Sequence, residues 1–268
     1  MIKFYYWRLV ILLGIIILNL LLAYFLSKRT ESFTNKQYKY GILICCHNRP
    51  EFLKKTLESL KKTNKEDLNQ SILYIIDDCS DDNETTKMIE EYDIKSLEGV
   101  NDLEFKMIRN MKNMGIAKSL EKGFTYLYPK CEYLTNIDSD VLVKPNWLSK
   151  LQEVYDRSNQ DKNDGNGVLV SGFNCTPPNC SHKILSSNDL YHVKKSIGGI
   201  NTFFHRDMYN DYVNVIGNNN KLWDWRLCEH CENNNISIIV SNPSVIQHIG
   251  FTGINSHGKN RYDYADDF

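Results

Sequence analysis

The chain has 268 residues, enough for one large domain or two small ones. Hydrophobic residues make up 42% and charged residues 24%, which excludes a disordered chain. The net charge of −1 and the absence of a basic stripe argue against nucleic acid as a partner.

Leu9 to Ser27 carries no charged residue and is dominated by Leu, Ile, Val, Ala, Phe and Tyr. About 20 apolar residues are what a helix needs to cross the hydrocarbon core. Tyr5, Tyr6 and Trp7 stand where an interfacial aromatic belt would sit. Residues 9–27 are therefore expected to be a transmembrane signal-anchor, after a flank of residues 1–8. The flank Tyr24-Phe25-Leu26-Ser27-Lys28 offers no good cleavage site for a signal peptide. Lys3 and Arg8 on one side balance Lys28 and Arg29 on the other, so the positive-inside rule hardly separates the orientations. The expected location is a single-pass protein of an ER- or Golgi-type, viral or host membrane, with the domain on the lumenal side. Residues 28–39 read as a polar stem and residues 40–268 as one domain.

From Tyr40 onward strands alternate with helices. Tyr40–Cys46 is a short apolar run, the signature of a buried strand. Pro50 opens a helix at the position where Pro is tolerated, and Leu53, Leu57 and Leu60 form its stripe. Ser71–Ile76 and Leu103–Ile108 predict two more strands. Ile116–Tyr128 predicts a helix, Tyr133–Ile137 a fourth strand and Asn146–Arg157 a further helix. This alternation implies right-handed crossovers and a largely parallel sheet. Ligands bind such sheets beyond the carboxyl ends of the strands. Polar residues collect at those ends: Cys46-His47-Asn48-Arg49, then Asp77-Asp78, then Asp138-Ser139-Asp140.

Asp138 and Asp140 are two apart after a buried run. In extended backbone such residues point the same way, so the two carboxylates can face one cation, directly or through water. Hard divalent ions take oxygen ligands and share them with substrate phosphates.

In order and spacing these segments resemble glycosyltransferase family 2, on the GT-A fold. Ile42 to Leu53 resembles the opening strand and Asn-Arg-Pro turn. Ile75 to Asp82 resembles the nucleotide loop, and Asn113-Met114-Gly115-Ile116-Ala117 the Asn-x-Gly helix start. Ile137-Asp138-Ser139-Asp140 resembles the metal motif. Ser196-Ile197-Gly198-Gly199 with Phe203-Phe204-His205-Arg206 resembles the approach to the acceptor side. The match runs from about Tyr40 to His248.

The resemblance implies a metal-dependent, inverting transfer of a hexosyl or N-acetylhexosaminyl group. The donor would be a nucleotide-diphosphate sugar, and the acceptor a hydroxyl of a glycan, protein or lipid. It implies that His47, Asn48, Arg49, Asp77, Asp78, Asn113, Lys118 and Asp138 bind the nucleotide-sugar. Asp138 and Asp140 would hold Mn2+ or Mg2+, with His248 as a third ligand in some relatives. Asp224, on an expected helix Lys221–Asn233, would be the general base, with Glu229 as its rival. Two departures stand out: Trp223 where the family often has a first acidic residue, and Cys79 where a small residue is usual. Gly250, Gly253 and Gly258 would make a closing tail flexible, with Lys259 and Arg261 within it.

Among eight cysteines only Cys175 and Cys180, flanking Thr-Pro-Pro-Asn, suggest a disulfide. Cys228-x-x-Cys231 has no second such pair to complete a structural zinc site. Asn69, Asn83, Asn174, Asn179 and Asn235 begin glycosylation sequons, a number that this Asn-rich composition goes far to explain. An inactive GT-A scaffold or glycan-binding protein is the alternative function. A sugar-nucleotide pyrophosphorylase would need a Gly-rich loop where Cys46-His47-Asn48-Arg49 stands.

Overall fold

The computed structural model describes residues 37–161, 167–217, 222–250 and 263–268, together with the single residue Asn19. Apart from Asn19, the expected anchor 9–27 lies outside the described residues, as do residues 28–36 of the stem and the tail positions Gly253, Gly258, Lys259 and Arg261. Among the described residues no helix is long and apolar enough to cross a membrane. The domain spans Gln37–Phe268.

Strand β1 (Tyr38–Cys46) lies in the middle of the parallel half of the sheet. It begins two residues inside the expected stem, because Tyr38 and Lys39 already hydrogen-bond the backbone of Lys130 and Gln70. Strands β2 (Ser71–Asp77), β3 (Glu104–Arg109) and β4 (Cys131–Asp138) run parallel to it in the order β3-β2-β1-β4. The sheet continues through β9 (Asn201–His205), β6 (Val168–Ser171), β10 (Ser237–Ser241), β8 (Tyr191–Lys194) and β7 (Ile184–Ser187). Only β8 and β9 oppose the common direction, so the expectation of a largely parallel α/β sheet holds. A separate hairpin-like pair joins β5 (Val141–Val143) to β11 (Ile246–His248).

The helices are α1 (Pro50–Leu60), α2 (Lys65–Asn69), α3 (Asn83–Glu90), α4 (Ile116–Leu127), α5 (Trp147–Gln160), α6 (Tyr209–Gly217) and α7 (Trp223–Asn233). They cover both faces of the sheet. On one face Tyr40, Ile42 and Ile44 pack with Leu53 and Leu57 of α1 and Trp147 and Leu151 of α5. On the other, Leu43 and Cys45 pack with Leu120 and Phe124 of α4, Tyr212 of α6 and Trp223 of α7. A strand buried on both sides must be apolar at every position, which is why β1 reads as an unbroken apolar run. Each fully buried aliphatic side chain contributes roughly 1.5–3 kcal/mol.

Helix α4 approaches β1 through Gly123. A Cβ there would lie 2.3 Å from Leu43 Cδ1 and 2.5 Å from its Cδ2. Leu43 is itself fully buried and has nowhere to move. Gly123→Ala should therefore destabilise the domain by about 1–3 kcal/mol despite the gain in helix propensity. Urea denaturation checks this; an unchanged or higher midpoint would show that the helix and strand can separate freely.

Candidate active site

At the end of β1 the chain turns sharply. Asn48 and Arg49 both adopt left-handed backbone, with φ of 58° and 63°. Side-chain hydrogen bonds make this tolerable. The Asn48 amide donates to Ser80 Oγ at 2.8 Å, and Asn48 Oδ1 accepts the Asp81 amide at 2.8 Å. His47 Nδ1 lies 3.1 Å from the Asp78 carbonyl. The β1 and β2 end loops are thus tied together. Cys79 also has a positive φ, 62°, which explains why a small residue is favoured there.

Asp77 and Asp78 are both buried, and both carboxylates are engaged within the chain. Asp77 Oδ1 accepts the Ser80 amide at 2.9 Å and hydroxyl at 2.6 Å, while Arg109 Nε lies 3.6 Å from Oδ2. Asp78 Oδ1 accepts from Asn110 Nδ2 at 2.8 Å and the Met114 amide at 2.9 Å. Its Oδ2 accepts the Gly115 amide at 2.8 Å. The pair organises the loop into α4. Of the other residues assigned to the nucleotide, exposed Asn113 bonds the Gly115 amide, and Lys118 pairs with Glu121 at 2.7 Å.

Asp138 ends β4, but Asp140 lies in the following turn rather than on extended strand, so the expected i, i+2 strand geometry does not apply. The turn is braced from below by buried Thr56. Its hydroxyl donates to the Ser139 carbonyl and accepts the Val141 amide, each at 3.0 Å. Asn136 and Asn201 tie β4 to β9 beneath it. Asn136 Nδ2 donates to the Gly199 carbonyl at 3.0 Å, and Asn201 Nδ2 to the Asn136 carbonyl at 2.7 Å. These supports carried no recognisable signal in the sequence.

Three groups converge on Asp140. Arg49 Nη1 donates to Asp140 Oδ2 at 2.8 Å, and His248 Nε2 lies 3.5 Å from the same oxygen. Gly250 comes so close that a Cβ would sit 1.9 Å from Asp140 Oδ2. Its glycine thus serves close approach at least as much as flexibility. His248 is buried, and its Nδ1 lies 3.2 Å from the Asp263 carbonyl. A proton on Nδ1 shared with that carbonyl leaves Nε2 as the ring nitrogen that faces the acidic turn, the second contact typical of a ligating histidine.

The electrostatics follow from one excess of negative charge. Burial and then the Asp140 charge push the Asp138 carboxyl well above its ordinary value, against the opposing pull of His248 and Arg49. Burial would also raise Asp140, but the His248 hydrogen bond and the charges of His248 and Arg49 outweigh it and hold the carboxyl low. Burial lowers His248, and Asp140, Asp138 and Asp263 more than reverse this. Only the Asp140 carboxylate and the His248 imidazole are close together, at 3.5 Å, with Asp138 near enough to feel both charges; as ligand types these suit Mn2+, and less naturally Mg2+. A cation held there would lower the cost of ionising Asp138, which burial first and the Asp140 charge second now raise.

Asp224 stands at the start of α7, half-buried. Burial raises its carboxyl, partly offset by hydrogen bonds from the backbone of Trp225, Asp224 itself and Gly199. It is close enough to Asp138 to raise that group further. Glu229 is exposed on the same helix. Trp223 points into the core, where a Cβ on Gly199 would meet its Cζ2 at 2.4 Å. The aromatic residue in place of an acid is therefore packing material. Cys175 and Cys180 are disulfide-bonded, whereas Cys228 and Cys231 are buried thiols that take part in no disulfide.

The family model described as Glycosyl transferase family 2 matches residues 41–212. A Methanocaldococcus jannaschii protein, MJ0544, is 33% identical over 121 residues, covering 44% of this chain and 48% of its own length. S. aureus TarS 1-349 superposes with a TM-score of 0.52 at 16% identity, covering 78% of this chain and 59% of TarS 1-349. Its complex with UDP-GlcNAc gives a TM-score of 0.53 at 14% identity, covering 78% of this chain and 57% of that one. The chain thus spans about half to three fifths of the length of these proteins.

Asp78 and Asp138 should respond oppositely to substitution. Asp78→Ala removes an acceptor from three N–H groups, of which the Met114 amide loses the one it has, and should cost about 1–3 kcal/mol. Asp138 holds its proton more tightly folded than unfolded. Folding takes up a proton between its ordinary and its raised value, and stability falls as pH rises through that window. Asp138→Asn should therefore raise the urea midpoint in EDTA at neutral pH, with the advantage shrinking towards pH 4. A loss of stability at neutral pH would contradict the charge balance described for the turn.

Proposed function

This chain belongs to glycosyl transferase family 2, and we propose that it transfers a glycosyl group from a nucleotide-diphosphate sugar to an acceptor hydroxyl, with inversion. The observation that supports this reading is the Asp140–His248 contact at 3.5 Å after β4, with Asp138 near enough to feel the charges of Asp140, His248 and Asp224. A UDP-sugar is the first donor to test, because TarS, which shares the fold, has been crystallised with UDP-GlcNAc.

A divalent cation held by Asp138, Asp140 and His248 would neutralise charge on the departing diphosphate. Arg49 holds Asp140 and, over the Phe52 ring at 4.5 Å, presents a second guanidinium nitrogen without a protein partner. That nitrogen is available to a phosphate oxygen. Asp224 takes the proton of the acceptor hydroxyl as the new C–O bond forms. Its raised carboxyl makes it a stronger base than an exposed aspartate.

Asp140→Ala, or EDTA, should abolish transfer, and manganese binding followed by isothermal calorimetry should be lost in the variant. Asp224→Asn should lower turnover by ~10²–10⁴ while leaving donor binding intact. Full activity in EDTA would overturn the metal reading. Retention of anomeric configuration would remove the need for this base. An inactive scaffold would release no nucleotide from any donor in a nucleotide-sugar panel.

Residues 9–27 are proposed to anchor the chain, with the domain on the lumenal side, on the strength of their length, apolarity and aromatic flank. Alkaline carbonate should leave the full-length protein in the membrane pellet. Release into the supernatant, or a mature N-terminus near residue 28, would oppose an integral anchor.

A further inference from the structure

Three of the four tryptophans lie in the described domain, and they differ sharply. Trp147 and Trp223 are buried, whereas Trp225 is 44% exposed. The exposed indole sits on the residue next to the proposed base. Trp225 follows Asp224 directly, and its amide donates to Asp224 Oδ1 at 2.9 Å. That bond fixes the carboxylate of the proposed base at the residue that carries the exposed indole.

A second ring completes the surface. His182 is buried, and its ring centroid lies 5.3 Å from that of Trp225 at a tilt of 33°. Burial and the Lys194 charge push His182 down to about 4, so it is neutral at physiological pH. Its Nδ1 is 2.9 Å from Ser196 Oγ. A side chain on Gly198 would meet only His182 Nε2 within 4 Å, at 3.7 Å from its Cβ. The Gly198-Gly199 turn therefore leaves open space bounded by an imidazole nitrogen, while Gly199 contributes an amide to Asp224.

We propose that Trp225 and His182 form the acceptor subsite, and that the acceptor is a carbohydrate presenting a pyranose ring. One face of a pyranose is rich in C–H groups and stacks on an indole, while its hydroxyls need polar partners. Trp225 takes the apolar face, and His182 Nε2 bonds one hydroxyl. A neighbouring hydroxyl then lies towards Asp224. A lipid phosphate acceptor would instead call for a cation against Trp225, where the ring that packs on the indole is the neutral His182. Naming the acceptor class in this way rests on the glycosyl-transfer reading above.

The test titrates p-nitrophenyl pyranosides into the full-length chain in a non-glycosidic detergent, with UDP and Mn2+ present, by calorimetry. At least one pyranoside should bind. Trp225→Ala should weaken it roughly tenfold, the size of one lost aromatic contact, and Trp225→Phe should retain most of the affinity. UDP affinity should be the same in all three proteins. Pyranoside binding that is absent in the parent chain or unchanged in Trp225→Ala would overturn the subsite. A parallel loss of UDP affinity would do so too, because it would mark a structural role. Preference for decyl phosphate over every pyranoside would assign the surface to a lipid acceptor instead. Pyranoside binding lost in Trp225→Ala, in a chain that turns over no nucleotide-sugar, would support the subsite and overturn the transfer reading.

Discussion

Two carboxylates held near each other at the end of a buried strand are the constraint on which the site depends. Asp138 and Asp140 cannot both ionise at low cost in that position. The surrounding chain answers with positive charge: Arg49 from the β1–α1 turn and His248 from β11. Each answer needs backbone geometry that is otherwise unfavourable. Arg49 reaches Asp140 from a left-handed residue, and the chain after His248 passes Asp140 only because residue 250 has no side chain. Strain of this kind persists where the surrounding structure over-determines it. Thr56 and the Asn136–Asn201 network do so here.

The four aspartates at the strand ends divide by what their oxygens meet. Asp77 and Asp78 meet N–H and O–H donors of their own chain, so their burial is satisfied and stabilising. Asp140 meets Arg49 and His248, and its charge opposes ionisation of Asp138, a cost that a divalent ion would lower. Their position after apolar runs does not tell the pairs apart, since Asp77 and Asp138 each close a buried strand. What separates them is the Asn-x-Gly helix start, whose amides turn back onto Asp78 across a separation of 36 and 37 residues.

Legibility in the sequence follows the physics of burial. The parallel strands β1, β2 and β4 are covered on both faces, so Ile42–Ile44, Ile72–Ile76 and Tyr133–Ile137 announce themselves as apolar runs. The antiparallel additions do not. Strand β7 is exposed throughout, and β5 and β11 are three residues each. Within the site, the acidic turn was readable from its position after β4. Three other features were not: the support from Thr56, the inward turn of Trp223 and the burial of His248. Each depends on a partner far away in the chain, such as the Asp263 carbonyl behind His248.

That last contact shows why the end of the chain matters. Residues 263–268 return to the domain and bond it by polar groups. Gln247 exchanges two hydrogen bonds with Ala265, Asn179 reaches Tyr264 and Asp266, and Asn174 reaches Asp267. The Cys175–Cys180 disulfide closes the loop that carries Asn179. A covalent clip on one loop thus helps to seat a terminal segment, and that segment supplies the carbonyl that orients His248. Such an outer contact fixes which imidazole nitrogen faces the acidic turn. It also accounts for two sequons that are poor acceptors in the folded domain. The side-chain amides of Asn174 and Asn179 already donate to the terminal segment, and a glycan on either would have to displace it.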